Sequence, residues 1–361
     1  MGADAVAEHI AALRDDDWAV REEAANALGT LKDSRAVVPL VRLLGDSDRS
    51  VRTAAVASLT AIGSPAVVPV GGCLQHTNLT VQEAAASVLS SIADVRVLDG
   101  LVTALGSADW VVRMHAAKAL GRIRDARAVG ALLPLLQDKV KAVREDAVAA
   151  LALIGREAIA PLVATLGHAE WLVRLHAVEA LGKLRAVEAV DPLLHLTFND
   201  PDAAVREDAV RALGEIGEPR AVDFLLAVMK TPGLRPLAIE SLGKIGDRRA
   251  VPALAAVVTG ESRPEVSRAV HGCQDQWDEE MEAMGAAVTA LARIKDSASI
   301  PTLIGALQQT VTRAEAAAGL VAFGEPAIAP LLRVLKSDND ANVLFYAKEA
   351  LGQLGWRPGR I

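Results

Sequence analysis

The fold is decided by DWVVRMHAAKALGRIRDARAVGALLPLL, residues 109–136, because the same pattern recurs along the chain. It returns as EWLVRLHAVEALGKLRAVEAVDPLL at 170–194 and as DWAVREEAANALGTLKDSRAVVPLVRLL at 17–44. A unit that repeats in this way buries its apolar face only against its neighbours. The pattern therefore predicts a stack of like units.

Each unit contains two predicted helices. In residues 109–136 the apolar residues recur at helical spacing in two segments: Val112, Ala116, Leu120 and Ile123, then Val129, Leu132, Leu133 and Leu136. The turn from Arg124 to Arg127 is short and polar, so the two helices must be antiparallel neighbours. Small residues such as Gly121 let a neighbouring helix approach closely. No strand alternation interrupts this pattern.

The leucine of the A-x-A-L-G core marks the register of the repeat. It occurs eleven times, at intervals of 29–32 residues except for one interval of 49: Leu28, Leu59, Leu89, Leu120, Leu151, Leu181, Leu213, Leu242, Leu291, Leu320 and Leu351. The register predicts a single solenoid of eleven helix pairs over residues 1–355, with an insertion at about 259–282 in the ninth pair. Residues 356–361 form a short C-terminal tail.

The pattern V-R-x-x-A-A-x-A-L-G-x-I-x-D-x-R-A-V-x-P-L resembles the HEAT-like repeat of the phycobilisome-lyase type over nearly the whole chain. The resemblance implies an all-α fold, a right-handed α-α superhelix (an α-solenoid) with a concave groove. It implies no single activity, because such repeats occur in bilin lyases, in deoxyhypusine hydroxylases and in adaptors. The hydroxylases hold iron with His-Glu dipeptides, and this sequence contains none.

Composition excludes several classes of protein. The net charge of −7 argues against general nucleic-acid binding, which needs a basic face. The two cysteines lie far apart in sequence, which excludes a disulfide framework and favours a reducing, cytoplasmic location. No unbroken apolar run is long enough for a membrane span, and no signal peptide is expected.

One arginine occupies the same site in six of the first seven repeats, with Gln82 as the exception. An aspartate lies six residues before four of these arginines. We interpret the arginines as a structural ladder that binds loop acids and carbonyls along the stack. The arginines and acids are Arg21, Arg52, Arg113, Arg144, Arg174 and Arg206, with Asp15, Asp46, Asp138 and Asp200.

The resemblance implies that the positions flanking V-R and A-L-G line the groove. In repeats four to seven, Trp/His repeats alternate there with Glu-Asp repeats. The predicted partner-binding residues are Trp18, Trp110, Met114, His115, Lys118, Arg122, Glu145, Asp146, Trp171, His176, Glu179, Lys183, Glu207, Asp208 and Arg211.

Three hypotheses compete for this surface. In the first, a protein partner docks on Trp110 and Trp171, because tryptophan dominates binding hot spots. In the second, the tryptophans cover the edge of the stack and the His and Asp side chains satisfy one another. In the third, a metal or cofactor is held by the alternating acids and imidazoles, although equivalent positions are too far apart for four ligands to converge. The candidate ligands are His115, Asp146, His176 and Asp208.

The favoured function is a non-catalytic protein-binding scaffold without a cofactor. The sequence contains no recognisable nucleophile arrangement, phosphate-binding loop or paired-carboxylate site. The alternative is a bilin-lyase-like or metal-handling component, in which the tryptophans would suit a flat tetrapyrrole.

Two regions depart from the repeat. The insertion predicts a short helix from Pro264 to Ala269, and it contains His271, Cys273 and Trp277. We interpret it as a solvated acidic flap with a packed Trp277, with a lid or docking arm as the alternative. In the last repeat Phe345 and Tyr346 follow a leucine at the arginine site, which predicts either a hydrophobic cap or a second contact face for a partner.

Overall fold

The computed structural model describes residues 4–261 and 274–356, with side chains described from residue 278 onward in the second range. The chain divides into two compact units, Met1–Leu184 and Arg185–Ile361, and each is described by itself. The continuous solenoid over residues 1–355 stays a prediction.

The first unit consists of helix pairs. Its α-helices are α1 (Ala5–Ala12), α2 (Trp18–Leu31), α3 (Val37–Arg42), α4 (Arg49–Ile62), α5 (Val67–Gly71), α6 (Leu79–Ile92), α7 (Leu98–Ala104), α8 (Trp110–Ile123), α9 (Val129–Leu132), α10 (Lys141–Ile154), α11 (Ile159–Thr165) and α12 (Trp171–Lys183). The long helices α2, α4, α6, α8, α10 and α12 pack side by side in chain order, and the short helices pack behind them.

The second unit has the same plan. Its α-helices are α13 (Val190–Asn199), α14 (Ala203–Ile216), α15 (Val222–Val228), α16 (Arg235–Ile245), α17 (Val251–Thr259), α18 (Gln274–Ile294), α19 (Ile300–Ala306), α20 (Arg313–Phe323), α21 (Glu325–Ser337) and α22 (Ala341–Gln353). The described residues of both units contain no strand, so the predicted all-α class is confirmed.

Short polar signals set the helix boundaries. The Asp109 carboxylate accepts a hydrogen bond from the Val111 N–H at 2.7 Å and caps the start of α8. Arg124 ends that helix in the left-handed region with φ 58°. Asp125 then accepts from the Arg127 N–H and begins the 3₁₀ turn that leads into α9. In two other repeats the bends between the long helix and the segment that follows it are 115° and 117°, which falls short of the predicted antiparallel arrangement.

The register leucines form the centre of both units. All eleven have no accessible surface: Leu28, Leu59, Leu89, Leu120, Leu151, Leu181, Leu213, Leu242, Leu291, Leu320 and Leu351. Full burial of a leucine side chain contributes about 1.5–3 kcal/mol to folding. The register read from the sequence is therefore the register of the core.

The glycine after the leucine lets adjacent long helices approach closely. A Cβ on Gly121 would lie 2.6 Å from the Ala150 Cα in α10. Gly214 and Ser241 meet in the same way in the second unit. Only a residue without a side chain permits such an approach.

Two proline-bearing segments differ from the expected short helix. In the fourth repeat α9 ends at Leu132, and a 3₁₀ segment, Leu133–Gln137, completes the segment. Similar 3₁₀ segments follow α3 and α5, at Leu43–Gly45 and Gly72–Gln75, and in the fourth repeat Pro134 also lacks an N–H to donate to the carbonyl four residues earlier. Pro330 lies inside α21, which begins at Glu325.

The predicted details of the insertion lie outside the described residues. These are the short helix from Pro264 to Ala269, the residues His271 and Cys273, and the packing of Trp277. Helix α18 begins at Gln274, within the predicted insertion, and ends at Ile294. Residues 357–361 of the tail are also outside the described part of the chain.

Across residues 4–261 and 274–356, no single helix combines the length and the apolar character needed to cross a membrane. Two helix pairs with sharp bends, Arg49–Ile62 with Ser64–Gln75 and Lys141–Ile154 with Arg156–Thr165, meet those criteria jointly by length and composition alone.

Candidate functional site

The arginine ladder of the first unit is architectural. Arg113 Nη1 donates to the Ser107 carbonyl at 2.8 Å, and its Nε and Nη2 donate to the Asp138 carboxylate at 2.7 and 2.9 Å. Arg21 donates in the same way to the Asp15 carbonyl and to the carboxylate of Asp46, at 2.9 Å in each bond. One guanidinium thus holds its own loop and the loop of the next repeat.

The other ladder residues bind the carbonyl six residues earlier. These bonds run from Arg52 to Asp46, Arg144 to Asp138, Arg174 to His168 and Arg206 to Asp200, and from the Gln82 amide to His76. The interpretation of the ladder as structural is confirmed by these contacts.

Two further arginines at the ladder position were missed in the sequence. Arg235 and Arg313 lie seven residues before register leucines, which is the offset of every ladder arginine, so the signal was present. Arg313 does not make the ladder contact described for the others, because it donates to the Gln309 carbonyl and the Thr310 hydroxyl. Arg235 pairs with Glu280 at 3.0 Å, and both side chains are buried. Glu280 follows Arg235 by 45 residues, whereas Asp138 follows Arg113 by 25, because the insertion lengthens the connection.

Most of the predicted partner-binding residues lie along one line on the surface of a long helix, which we call the ridge. The exceptions are the sixth residues of their helices: His115, Asp146, His176 and Asp208. The ridge comprises the first, fifth, ninth and thirteenth residues of the helix, because side chains four apart share a face. On α8 these are Trp110, Met114, Lys118 and Arg122. On α12 they are Trp171, Leu175, Glu179 and Lys183. The ridge residues on both helices are exposed or half-buried.

The three tryptophans of the predicted groove begin their helices and are exposed. Trp18 is 48% exposed, and Trp110 and Trp171 are each 44% exposed. Each follows a residue with extended backbone geometry, so its side chain stands at the entry of the helix rather than in the apolar stripe. The core packs without full burial of these rings.

Most charged side chains of the ridges interact within their own helix. Glu179 and Lys183 lie 2.9 Å apart, and Lys141 and Glu145 lie 3.4 Å apart. Such exposed pairs contribute about 0.3–0.5 kcal/mol each. In the second unit Arg211 pairs with two predicted site acids, Glu207 at 3.5 Å and Asp208 at 2.6 Å.

Arg122 has a role between repeats. Its Nη1 donates to the Ser90 carbonyl near the end of α6 at 3.0 Å. The C-terminal carbonyls of a helix lack partners within the helix, so this bond satisfies one of them. Sequence reasoning placed Arg122 in the groove and gave no signal for this contact.

His115, Lys118 and Asp146 form an electrostatic group between α8 and α10. Burial lowers the pKa of His115, Lys118 lowers it further, and Asp146 opposes both effects. Burial raises the pKa of Asp146, against the pull of Lys118 and His115. The His115 Nδ1 lies 3.4 Å from the Ser90 hydroxyl. The hydrogen-bonding partner described for His115 is thus Ser90, and a direct pairing of His115 with Asp146 stays a prediction.

His176, the third candidate metal ligand, is buried and contacts Arg144. Its Nε2 accepts a hydrogen bond from the Arg144 Nε at 3.1 Å. That bond uses the Nε2 lone pair that a metal would need. Within the described part of the chain, no group of three or more His, Cys, Asp or Glu residues is placed to hold a metal ion.

The aromatic pair of the last repeat is partly open to solvent. Phe345 is 61% exposed and meets the Tyr346 ring edge-to-face, with centroids 5.4 Å apart. Lys348, also exposed, lies three residues before its register leucine, where all ten other repeats carry Ala, Val or Ile. The contact face at Phe345 and Tyr346 stays a prediction.

Comparison with known proteins identifies the repeat. The description "HEAT repeats" matches residues 6–70, 71–152, 98–169, 131–212, 159–233, 190–272 and 277–352. The chain belongs to the HEAT-repeat family. The predicted solenoid class of helix pairs is confirmed by this match.

Two relatives are similar in sequence to parts of this HEAT-repeat chain. It is 32% identical over 203 residues to phycocyanobilin lyase subunit beta of Thermosynechococcus vestitus, covering 53% of this chain and 86% of that protein. It is 32% identical over 115 residues to uncharacterized phycocyanin operon protein Z of Pseudanabaena tenuis, covering 30% of this chain. The alignment spans 56% of the length of that operon protein. The resemblance to the phycobilisome-lyase type is confirmed.

Solved structures with the same fold include importins. Yeast importin-beta (Kap95p) superposes with a TM-score of 0.63 at 15% identity, covering 98% of this chain and 58% of that one. Its complex with Nup1 superposes with a TM-score of 0.65 at 16% identity, covering 98% and 58%. At this identity the likeness concerns the fold of the HEAT-repeat stack.

Proposed function

We propose that this HEAT-repeat chain is a non-catalytic protein-binding scaffold whose partner docks on the ridges of α8, α10 and α12. One observation carries the proposal: Trp110 and Trp171 occupy the same helix position two long helices apart, and each is 44% exposed. The concave groove predicted for these positions is part of the proposal.

The architecture of the repeat accounts for other residues but leaves the tryptophans unexplained. Leu120 fills the core, and Arg113 joins neighbouring loops. Trp110 contributes only part of its surface to the fold. Aromatic side chains supply a large contact area at a low cost in conformational entropy, which makes exposed tryptophans frequent binding hot spots.

The test is affinity capture from the organism that encodes the chain, followed by quantitative mass spectrometry. Wild type is compared with the Trp110→Ala/Trp171→Ala double variant and with Phe224→Ala. Phe224 is a matched control, because it is an exposed aromatic residue (48%) on α15, which carries none of the three ridges. We expect a near-stoichiometric protein with wild type and the control, and at least a tenfold loss with the double variant. Equal recovery in all three samples would refute docking on the tryptophans.

The second candidate function is a bilin-lyase-like component. The observation that favours it is the 32% identity to phycocyanobilin lyase subunit beta over 86% of that protein. Its site would centre on His115, Asp146 and His176, with Trp110 and Trp171 beside a flat chromophore. Purification in the presence of phycocyanobilin tests it. A visible absorption band that stays with wild type and disappears in Asp146→Asn supports this function, and a colourless protein refutes it.

The remaining predictions from the sequence belong to the scaffold proposal. Trp18 extends the docking surface towards the start of the chain, and Phe345 with Tyr346 offers a second contact for a partner. In the second unit, Glu207, Asp208 and Arg211 of repeat seven stay predicted partner-binding residues. The cytoplasmic location is likewise part of the proposal.

A further inference from the structure

Resting on the proposed scaffold function, we propose the chemistry of the docked segment. It is an extended stretch of a partner protein that carries two apolar side chains about 20 Å apart, with a carboxylate between them. It crosses α8, α10 and α12 at their first residues. These residues are Trp110, Lys141 and Trp171, which we call the Trp–Lys–Trp row.

The row is a geometric consequence of the repeat. Each of the three residues begins a long helix, and α10 packs against both α8 and α12. Packed helix axes lie about 8–10 Å apart, so the two tryptophans stand about 20 Å apart with Lys141 midway. The Lys141 side chain is 78% exposed. A partner that covers both rings must therefore pass over this ammonium group.

The local charge favours an acidic segment. Arg113, Arg144 and Arg174 near the row already donate to loop carbonyls, whereas Lys139 and Lys141 are exposed at the start of α10. The N-terminal ends of three helices add partial positive charge at the same edge. The start of α10 therefore presents positive charge between the two tryptophans, where a carboxylate of the partner is favoured over a cation.

Lys141 is available to a partner. Its contact with Glu145 is 3.4 Å long, and both side chains are mostly exposed, at 78% and 56%. An ion pair of this kind contributes about 0.3–0.5 kcal/mol. Lys141 can therefore exchange Glu145 for a carboxylate of the partner at little cost, when the partner's apolar side chains cover the two tryptophans. Ridge charges on α12 are held more closely, with Glu179 and Lys183 2.9 Å apart.

The spacing defines the sequence of the segment. An extended chain rises about 3.3 Å per residue, so two apolar side chains six residues apart span about 20 Å on one face. A glutamate or aspartate two or four residues after the first apolar residue lies on that same face. Its carboxylate then reaches Lys141 from a point near the middle of the row.

The test uses a phage-displayed library of random 12-residue peptides, which requires no knowledge of the natural partner. Selections run on wild type, on Lys141→Glu and on Arg49→Glu. Arg49 is the matched control, because it is an exposed first residue of α4 between Trp18 and Leu79, outside the row. A fourth selection uses Trp110→Ala/Trp171→Ala. Circular dichroism confirms equal helix content in all four proteins.

We expect wild type and Arg49→Glu to enrich peptides with acidic residues between two apolar positions. Lys141→Glu should enrich Lys or Arg at the central positions instead, and the double tryptophan variant should lose at least ten-fold in enrichment. Identical peptides from wild type and Lys141→Glu would overturn the proposal that the docked segment is acidic. If those peptides still required the two tryptophans, the scaffold function would stand and only the acidic character of the segment would be wrong. Peptides that bind the double tryptophan variant equally well would overturn both.

Discussion

Arg113 of α8 binds Asp138, in the loop before α10, through two hydrogen bonds of 2.7 and 2.9 Å, and so joins two consecutive repeats. A third hydrogen bond of the same guanidinium, to the Ser107 carbonyl, links Arg113 to the loop before its own helix. The Arg113 side chain is 16% exposed and that of Asp138 is 10% exposed. Because both side chains are largely buried, water compensates little for the lost hydrogen bonds when either residue is replaced.

Loss of the Arg113–Asp138 pair should lower the stability of the first unit. Arg113→Gln leaves the Asp138 carboxylate half-buried without its cation, and we expect about 2–4 kcal/mol of destabilisation. Urea unfolding monitored by circular dichroism measures the effect. Arg127→Gln is the matched control, because Arg127 forms an exposed pair with Asp125, and we expect its loss to change the stability much less. Equal effects of the two variants would contradict a special role for Arg113.

The contribution of the Arg113–Asp138 pair to stability should decrease in acid. Burial alone would raise the pKa of Asp138, but Arg113 and the Val140 N–H outweigh it, so the pKa lies below its usual 3.8. A lowered folded-state pKa stabilises the protein above pH 3.8, and this contribution disappears as the pH falls below that value towards the folded-state pKa. Wild type should therefore exceed Asp138→Asn in urea midpoint at pH 7, and the difference should shrink below pH 4. A difference independent of pH would contradict this assignment.

Neighbouring long helices pack so closely at the glycine of A-L-G that there should be no room for a side chain at this position. A Cβ on Gly121 would lie 2.6 Å from the Ala150 Cα, so Gly121→Ala should destabilise the protein by about 1–3 kcal/mol. Gly352 occupies the equivalent position in α22 and has no atom within 4 Å of its added Cβ. Gly352→Ala should be neutral or stabilise by up to about 1 kcal/mol, because alanine favours helix. Thermal unfolding of both variants measures these opposite signs.

The group of His115, Lys118 and Asp146 predicts two shifts of opposite sign. Lys118 lowers the pKa of His115 and Asp146 raises it. We therefore expect the His115 pKa to rise in Lys118→Met and to fall in Asp146→Asn. NMR titration of the His115 ring protons measures both. Lys183→Met, which removes a ridge cation two long helices away, is the control and should leave the His115 pKa unchanged.

The candidate site was only partly predictable. Trp110 and Trp171 were identified from their shared place in the repeat, and both prove to be exposed. The bond from Arg122 to the Ser90 carbonyl was not predictable, because it joins a side chain to a backbone atom 32 residues away and leaves no residue-type signal. The contact of Arg144 with His176 was missed because the ladder assigns that arginine to loop carbonyls.

The sequence by itself determined the class of fold and the register of the repeat. Repetition makes this possible, because eleven copies average out the local ambiguity of any single segment, and every register leucine is buried as predicted. Local chemistry also suffices for helix ends, as at Asp109, whose carboxylate caps α8.

Only the tertiary structure decided which charged groups meet. Arg235 reaches Glu280 across 45 residues, and Lys141 stands exposed between two tryptophan-bearing helices. Such contacts depend on the spacing of packed helices, about 8–10 Å, and on the length of each side chain, neither of which a repeat pattern records. The pattern specifies which positions face outwards, and the packing specifies what those positions touch.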